Sequence, residues 1–233
     1  MGVFDFLTVR SCALCGRPSR PGDRTQLSDG AVICQTCVVE KCSPWVQIGR
    51  LRKADLDEHI RYMAAQDRLY DEQFRNAPDL ETIGSSERGV RFADSVGMFD
   101  LVSPETTRHT MREAFRLDRV ADVRSTSTRH DAGEHNDPVE FDTVGLAISL
   151  HGHPWVSHAD LTIGRLVRAD DLRPHAAVRN VTSAFDRRLR GSAPHSAWTA
   201  AADAAEQRSW HQRTATTRDD CPAPGPVPEN DVR

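Results

Sequence analysis

The chain of 233 residues lacks any long apolar run, and this absence limits the kinds of protein it can be. A transmembrane helix needs roughly 20 consecutive apolar residues, and no stretch approaches that length. The first ten residues, MGVFDFLTVR, carry Asp5 before any positive charge, which does not fit a secretory signal. The sequence therefore predicts a cytoplasmic protein, in a reducing compartment where cysteines stay available for metal or redox chemistry.

Lysine is scarce, because Lys41 and Lys53 are the only lysines among the 30 basic residues. We assign this bias to genomic base composition and draw no function from it. The formal net charge is −4 and the isoelectric point is near 6.2. The chain as a whole therefore has no electrostatic attraction to nucleic acid or to anionic lipid, although a local basic patch remains compatible with this balance.

Motifs that mark common active sites are missing as well. The sequence contains no G-x-S-x-G turn, no Walker-type phosphate loop and no dinucleotide-binding glycine motif. Acidic pairs such as Asp170-Asp171 and Asp219-Asp220 are adjacent in polar stretches and are not spaced as an acid and a base facing one substrate. These absences predict a protein that is not an enzyme.

Four of the six cysteines lie in two Cys-x-x-Cys pairs near the start of the chain. Cys12 and Cys15 form the first pair, Cys34 and Cys37 form the second, and eighteen residues separate the pairs. Two tight turns at this separation can direct four thiolates at one tetrahedral ion, and zinc suits four soft anionic sulfurs. The spacing predicts one structural Zn²⁺ per chain, since four protein ligands leave no open position for water or substrate.

The residues around the pairs favour a zinc ribbon or treble clef. Gly16 follows the first pair, where a knuckle commonly needs a positive φ. Asp29-Gly30 predicts the turn of a β-hairpin, and residues 38–45, VVEKCSPW, predict a short helix that ends before Pro44. The alternatives are a redox pair, which prefers a single Cys-x-x-Cys in a βαβ unit, and two disulfides, which conflict with the missing signal.

The remaining two cysteines are expected to play no part in the site. Cys42 follows the second pair on the predicted helix, and we expect it to be a small core residue. Cys221 lies in a proline-rich tail and is expected to be a free thiol.

Several of these segments together resemble a known family. The start MGVFDF, the pairs CALC and CQTC, the segment LSDGAVIC, the SPW at residues 43–45 and the acidic amphipathic helix that follows resemble a bacterial N-terminal four-cysteine zinc-ribbon domain of unknown function. The resemblance covers about residues 1–75 and implies that the four cysteines of the two pairs bind metal. In that family the ribbon often precedes a β-rich module similar to a bacterial pleckstrin-homology domain, and no enzymatic activity is implied.

Downstream of the ribbon, the periodicity predicts one helix and then strands. Residues 54–74 place Leu56, Ile60, Met63, Tyr70 and Phe74 on one helical stripe. We interpret it as a connecting or packing helix, with a partner-binding helix as the alternative.

From about residue 87, short alternating runs predict a meander of antiparallel strands, and an alanine-rich stretch within residues 193–213 predicts a C-terminal helix. The fold class is α+β, with these expected parts: a zinc ribbon at 1–50, a connecting amphipathic helix at 51–76, a linker at 77–86, a β-rich pleckstrin-homology-like domain at 87–212 and a disordered tail at 213–233.

Three clustered histidines, His151, His153 and His158, raise the question of a second metal site. An alternating strand places His151 and His153 on the same face, but Gly152 and Pro154 favour a polar strand end and turn. Neither these histidines nor His130 and His135 have carboxylates at a convincing spacing for a two-histidine site.

Two further segments carry polar or basic residues. Residues 124–138 contain no large apolar residue and predict a mobile loop that includes His130 and His135. The segment FDRRLR at residues 185–190 is expected near a strand end, where it is either a solvated basic turn or a site for a phosphate or lipid headgroup.

These features favour a non-enzymatic zinc-binding adaptor that binds a protein partner or a membrane surface. The alternative is a nucleic-acid-binding zinc ribbon, although residues 1–75 contain eleven basic and ten acidic residues and so offer little phosphate attraction. A third hypothesis is an enzyme that uses His151, His153 and His158. The sequence indicates no particular oligomeric state.

Overall fold

A computed structural model describes residues 8–132 and 139–191 of the chain. The protein is α+β: short hairpins and a helix at the N-terminal end are followed by a long helix, two antiparallel sheets and a C-terminal helix. None of the helices within these two ranges is long and apolar enough to cross a lipid bilayer.

Two small hairpins and one helix form the N-terminal part. Strand β1 (Arg10–Ser11) pairs with β2 (Pro18–Ser19), and β3 (Arg24–Gln26) pairs with β4 (Val32–Cys34). The predicted turn is confirmed, because Gly30 has a φ of +85° and its amide donates to the Leu27 carbonyl oxygen at 3.0 Å.

Helix α1 follows β4 directly and covers Gln35–Lys41, so the short helix before Pro44 is also confirmed. Single 3-10 turns lie at Pro21–Asp23 and Ile48–Arg50.

The long helix α2 (Lys53–Leu69) continues into a π-helical turn at Tyr70–Phe74. Its predicted stripe is largely confirmed, since Leu56, Met63, Tyr70 and Phe74 are buried while Ile60 is half-buried. The helix begins without a serine or threonine cap. Two aspartates take that role: Asp55 Oδ2 accepts from the Arg52 amide at 3.1 Å, and Asp29 Oδ2 accepts from the Lys53 amide at 2.7 Å. The second bond fixes the helix to the β3–β4 turn.

The first sheet has four antiparallel strands in sequential order, β5 (Glu81–Gly84), β6 (Gly89–Ala93), β7 (Met98–Val102) and β8 (Phe115–Arg116). Helix α3 (Pro104–Arg108) lies between β7 and β8. Strand β5 falls within residues 77–86, where we expected a linker. Its residues are mostly exposed and carry little apolar pattern, so the strand is formed by its pairing with β6.

The second sheet has three antiparallel strands, β9 (Val120–Ala132), β10 (Val139–Leu150) and β11 (His158–Arg168), with β10 in the centre. The predicted inward face of β10 is confirmed by four buried residues, Val144, Leu146, Ile148 and Leu150. The expected loop at 124–138 is wrong for residues 124–132, which form most of β9. Residues 133–138, including His135, lie outside the described ranges.

Helix α4 (Leu172–Gly191) packs on both sheets. Phe185 lies edge-on to Phe92 and to Phe99, with ring centroids 4.9 Å apart in each case. The C-terminal helix expected from the alanine-rich stretch lies outside the described residues, as does the expected tail with Cys221. The FDRRLR segment is therefore part of a helix, and the expectation of a strand end there is wrong.

Candidate metal centre

The first cysteine pair lies in the tight turn between β1 and β2. The Cys12 amide donates to the Arg17 carbonyl oxygen at 2.9 Å, and the Gly16 amide donates to the Cys12 carbonyl oxygen at 2.9 Å. Gly16 has a φ of +72°, a conformation that side-chain-bearing residues rarely adopt. The glycine thus closes the turn that holds the Cys12 and Cys15 sulfurs on one side.

The second pair lies where a strand becomes a helix. Cys34 is the last residue of β4, and Cys37 lies in the first turn of α1. The Cys34 amide donates to Cys12 Sγ at 3.3 Å, which links the two pairs through a backbone group.

The four side chains converge at one point. Their sulfur atoms all lie within 4.8 Å of one another, and Cys15 Sγ and Cys34 Sγ are 3.8 Å apart. Four sulfurs at about 2.3 Å from a tetrahedral ion are themselves about 3.8 Å apart, so the arrangement fits a single metal ion. The five cysteines in the described ranges are all free thiols, which is the state that metal binding requires.

Electrostatics also favour a cation at this point. Burial opposes ionisation of Cys12, but hydrogen bonds from the backbone of Cys15, Cys34 and Leu14 lower its pKa to about 6. Burial, hydrogen bonds from the other thiols and the charge on Cys12 together raise the pKa of Cys37. The first thiolate forms easily, and its negative charge opposes ionisation of the other thiols. A bound cation is therefore needed to hold four ionised sulfurs together.

Cys42 does not take part in this cluster. It is fully buried, and burial raises the pKa of its thiol to about 12. The expectation of a small core residue is confirmed. Apolar side chains that pack around the four-cysteine cluster include Leu27, Ile33, Ile48 and Leu56.

The histidines singled out in the sequence do not come together. Within residues 8–132 and 139–191, the four cysteines are the only group of three or more potential ligands close enough to hold one metal ion. His151 is exposed, and His158 Nε2 lies 2.9 Å from Asp160 Oδ1 on the exposed part of β11. His130 Nε2 lies 3.2 Å from Thr143 Oγ1, between β9 and β10.

His153 belongs to a buried polar network that no motif in the sequence indicates. Its Nδ1 accepts from the backbone amides of Trp155 and Val156, at 3.2 and 2.9 Å, which leaves Nε2 as the ring's donor. Nε2 lies 2.9 Å from the Tyr62 hydroxyl and 3.5 Å from Glu113 Oε1.

The same network reaches Ser43, in the segment that follows α1. Ser43 Oγ donates to Glu113 Oε2 at 2.6 Å, and the Ser43 amide donates to His59 Nε2 at 3.1 Å. Ser43 and His59 are at most 1% exposed and Glu113 is 7% exposed. These groups are closed off from solvent, and the network connects α2 and the sheets to the segment after α1.

The basic segment of α4, residues 185–190, also makes contacts within the fold. Arg188 binds Asp94 at 2.6 Å and Glu81 at 2.5 Å. It also lies over the Phe92 ring, 4.1 Å from the centroid. Arg188 therefore holds α4 against the first sheet and is not available for a phosphate.

Comparison of the chain with family models, with curated proteins and with solved structures found no match. The resemblance to a four-cysteine zinc-ribbon family thus remains a prediction from the residues. The four-cysteine cluster itself is a feature of the fold.

Proposed function

We propose that this protein is a non-enzymatic adaptor with one structural zinc ion bound by Cys12, Cys15, Cys34 and Cys37. The observation that carries the proposal is the convergence of four sulfurs within 4.8 Å. Four thiolates complete a tetrahedral shell, so the ion has no free position at which to activate water. The surrounding apolar cluster is small, and metal binding would supply much of its folding free energy.

The second part of the proposal is that residues 81–191 form a pleckstrin-homology-like binding module. A four-stranded sheet, a three-stranded sheet and one C-terminal helix, in that chain order, support this interpretation. The buried bonds of Ser43 and Glu113 support a fixed arrangement of the ribbon and the module. An adaptor of this kind would bind a protein partner or a membrane surface as one unit.

Cobalt substitution tests the closed site. We expect Co²⁺ to give the intense visible bands of a tetrahedral four-thiolate complex, and added azide or cyanide to leave them unchanged. A spectrum that changes on adding azide, before any loss of metal, would show an open position and overturn the structural role. Sedimentation with phosphatidylcholine vesicles, with and without phosphatidylglycerol, then separates a membrane surface from a protein partner.

Nucleic-acid binding is the second candidate, and one observation favours it. Residues 8–27 carry Arg10, Arg17, Arg20 and Arg24 but only one acidic residue, Asp23, although the whole chain is acidic. Arg17 and Arg20 are exposed beside the first cysteine pair. Fluorescence anisotropy with single- and double-stranded DNA, repeated at two salt concentrations, tests it. Binding that weakens with salt and is lost in Arg17→Ala with Arg20→Ala would support this candidate over the adaptor.

A further inference from the structure

A cleft of about 730 Å³ opens between the N-terminal part of the protein and the second sheet. One wall is the segment after α1, residues 44–51, and the other includes the beginning of β11 with the residues just before it. The N-terminal end of α3 lies at its edge. The volume is within the range of small-molecule pockets, which is about 300–1,000 Å³. We call this space the inter-module cleft.

Two tryptophans from distant parts of the chain provide the aromatic surface of the inter-module cleft. Trp45 and Trp155 both line it and both are half-buried. Each indole is held from behind: Trp45 lies edge-on to Phe115 with centroids 6.4 Å apart, and Trp155 lies edge-on to His59 at 5.0 Å. Rings fixed in this way lose little conformational freedom when a planar ligand packs against them.

Most of the charged side chains that line the cleft already interact with other groups of the protein. Arg88 Nη1 donates to the Thr162 carbonyl oxygen at 3.1 Å, and His158 lies 2.9 Å from Asp160. The Glu105 carboxylate lies within electrostatic reach of Arg88 and Arg108. These groups therefore leave little uncompensated charge among themselves.

Two arginines remain without an anionic partner. Arg50 and Arg165 line the cleft from opposite sides, both are exposed, and neither guanidinium group makes a hydrogen bond or ion pair with any residue the structure describes. A guanidinium group binds carboxylate, phosphate and sulfonate oxygens with paired N–H donors. The cleft thus combines an aromatic surface with two available cations.

We propose that the inter-module cleft binds a small aromatic anion, with its planar group against Trp45 and Trp155 and its acidic group on Arg50 and Arg165. Aromatic carboxylates, aromatic sulfonates and nucleoside monophosphates share this chemistry. Such a ligand contacts the segment after α1 and the second sheet at once. This inference goes beyond the adaptor function and does not depend on it.

The test is a titration of the full chain, followed by ¹H–¹⁵N NMR, with four probes. Naphthalene-1-sulfonate and adenosine 5′-monophosphate are aromatic anions, adenosine is aromatic without charge, and inorganic phosphate is an anion without a ring. We expect at least one aromatic anion to bind, with changes in amide chemical shift confined to residues 44–51 and 155–165. We expect adenosine and phosphate to bind at least tenfold more weakly. Binding of naphthalene-1-sulfonate alone would indicate that the natural ligand is not a nucleotide, and binding of adenosine 5′-monophosphate alone would indicate a nucleotide.

Matched variants make the test specific. Arg50→Ala with Arg165→Ala should weaken the bound probe at least tenfold, whereas Arg179→Ala, an exposed arginine on α4 away from the cleft, should leave its affinity unchanged. The spectrum of each variant reports whether the fold is retained. Absence of binding by both aromatic anions at millimolar concentration would overturn the proposal. Equal loss of affinity in Arg179→Ala, or equal binding of adenosine, would overturn it as well.

Discussion

Ser43 Oγ donates a 2.6 Å hydrogen bond to Glu113 Oε2, although the two residues are seventy positions apart in the chain. Both side chains are buried, and Glu113 Oε1 has no hydrogen-bond partner among the described residues. Burying a carboxylate is destabilising unless the carboxylate is paired. The few hydrogen bonds that Glu113 accepts therefore offset much of the free-energy cost of burying its charge. This bond joins the segment after the four-cysteine cluster to the β-rich part of the protein.

Breaking this bond should destabilise the protein. Because a hydrogen bond to a buried charged group contributes about 2 kcal/mol, we expect Ser43→Ala to lower the free energy of unfolding by about that amount. The measurement is urea denaturation, and Glu87→Gln should change stability by less than about 0.5 kcal/mol, because this exposed side chain makes no hydrogen bond or ion pair in the described part of the chain. A double-mutant cycle with Glu113→Gln should give non-additive losses, and additive losses would contradict the coupling.

Glu113 should also make stability depend on pH. Burial by itself raises the pKa of this carboxyl, but the His153 imidazole, the Ser43 hydroxyl and the nearby His59 lower it below the ordinary value of 4.5. The unfolded state therefore binds this proton more readily than the folded state. The stability from Glu113 is fully present above about pH 4.5 and is lost as the pH falls through the lower folded-state pKa.

Unfolding free energies measured from pH 7 to pH 3 check this sign. The difference between the wild type and Glu113→Gln should be largest near neutral pH and should shrink in acid. A difference that grows as the pH falls would contradict it.

The turn at Gly16 offers a test of the metal knuckle that leaves every sulfur in place. Gly16 has a φ of +72°, whereas Gly22 does not adopt a left-handed conformation, and a Cβ at either position meets no atom within 4 Å. Gly16→Ala should therefore cost about 1 kcal/mol through backbone strain, which weakens metal binding about fivefold, while Gly22→Ala should not. Competition with a chromophoric chelator measures the metal affinity of both variants. Equal affinities for the two variants would show that the turn does not control the site.

A partly buried ion pair between Arg91 and Asp100 predicts a contrast between interior and surface charges. Asp100 is 4% exposed and accepts from Arg91 Nε and from the Tyr70 hydroxyl, both at 2.9 Å. Because Asp100→Ala leaves the half-buried guanidinium without its partner, we expect a loss of about 3 kcal/mol. The control is Asp71→Ala, which breaks the exposed pair with Arg75 and should cost about 0.5 kcal/mol or less. Similar losses in thermal or urea unfolding would contradict the difference in burial.

The parts of the fold that could be predicted depend on short-range patterns. The cysteine spacing, the Asp29-Gly30 turn and the inward face of β10 are each set within about a dozen residues, and all three match the structure. The Ser43–Glu113 bond and the position of His153 depend on long-range packing, so no spacing in the sequence indicates them.

The errors have physical reasons as well. In β9, residues 124–130 are exposed on both faces, so the strand has no apolar alternation and is held by pairing with β10. Helix α4 did have a signal, because Val178, Val181 and Phe185 follow helical spacing and are buried. Polar residues lie between these apolar positions, and Pro174 lies in the first turn of the helix. Both features make the helical pattern hard to recognise in the sequence.

The central claim is that one structural zinc ion is bound by Cys12, Cys15, Cys34 and Cys37, and elemental analysis tests it most directly. Protein purified without an affinity metal should contain about one zinc per chain. Cys12→Ser and Cys34→Ser should lose it, whereas Cys42→Ser should retain it, because Cys42 is a buried thiol outside the cluster. A chain without metal, or with iron in place of zinc, or equal loss of zinc in Cys42→Ser, would contradict this account of the site.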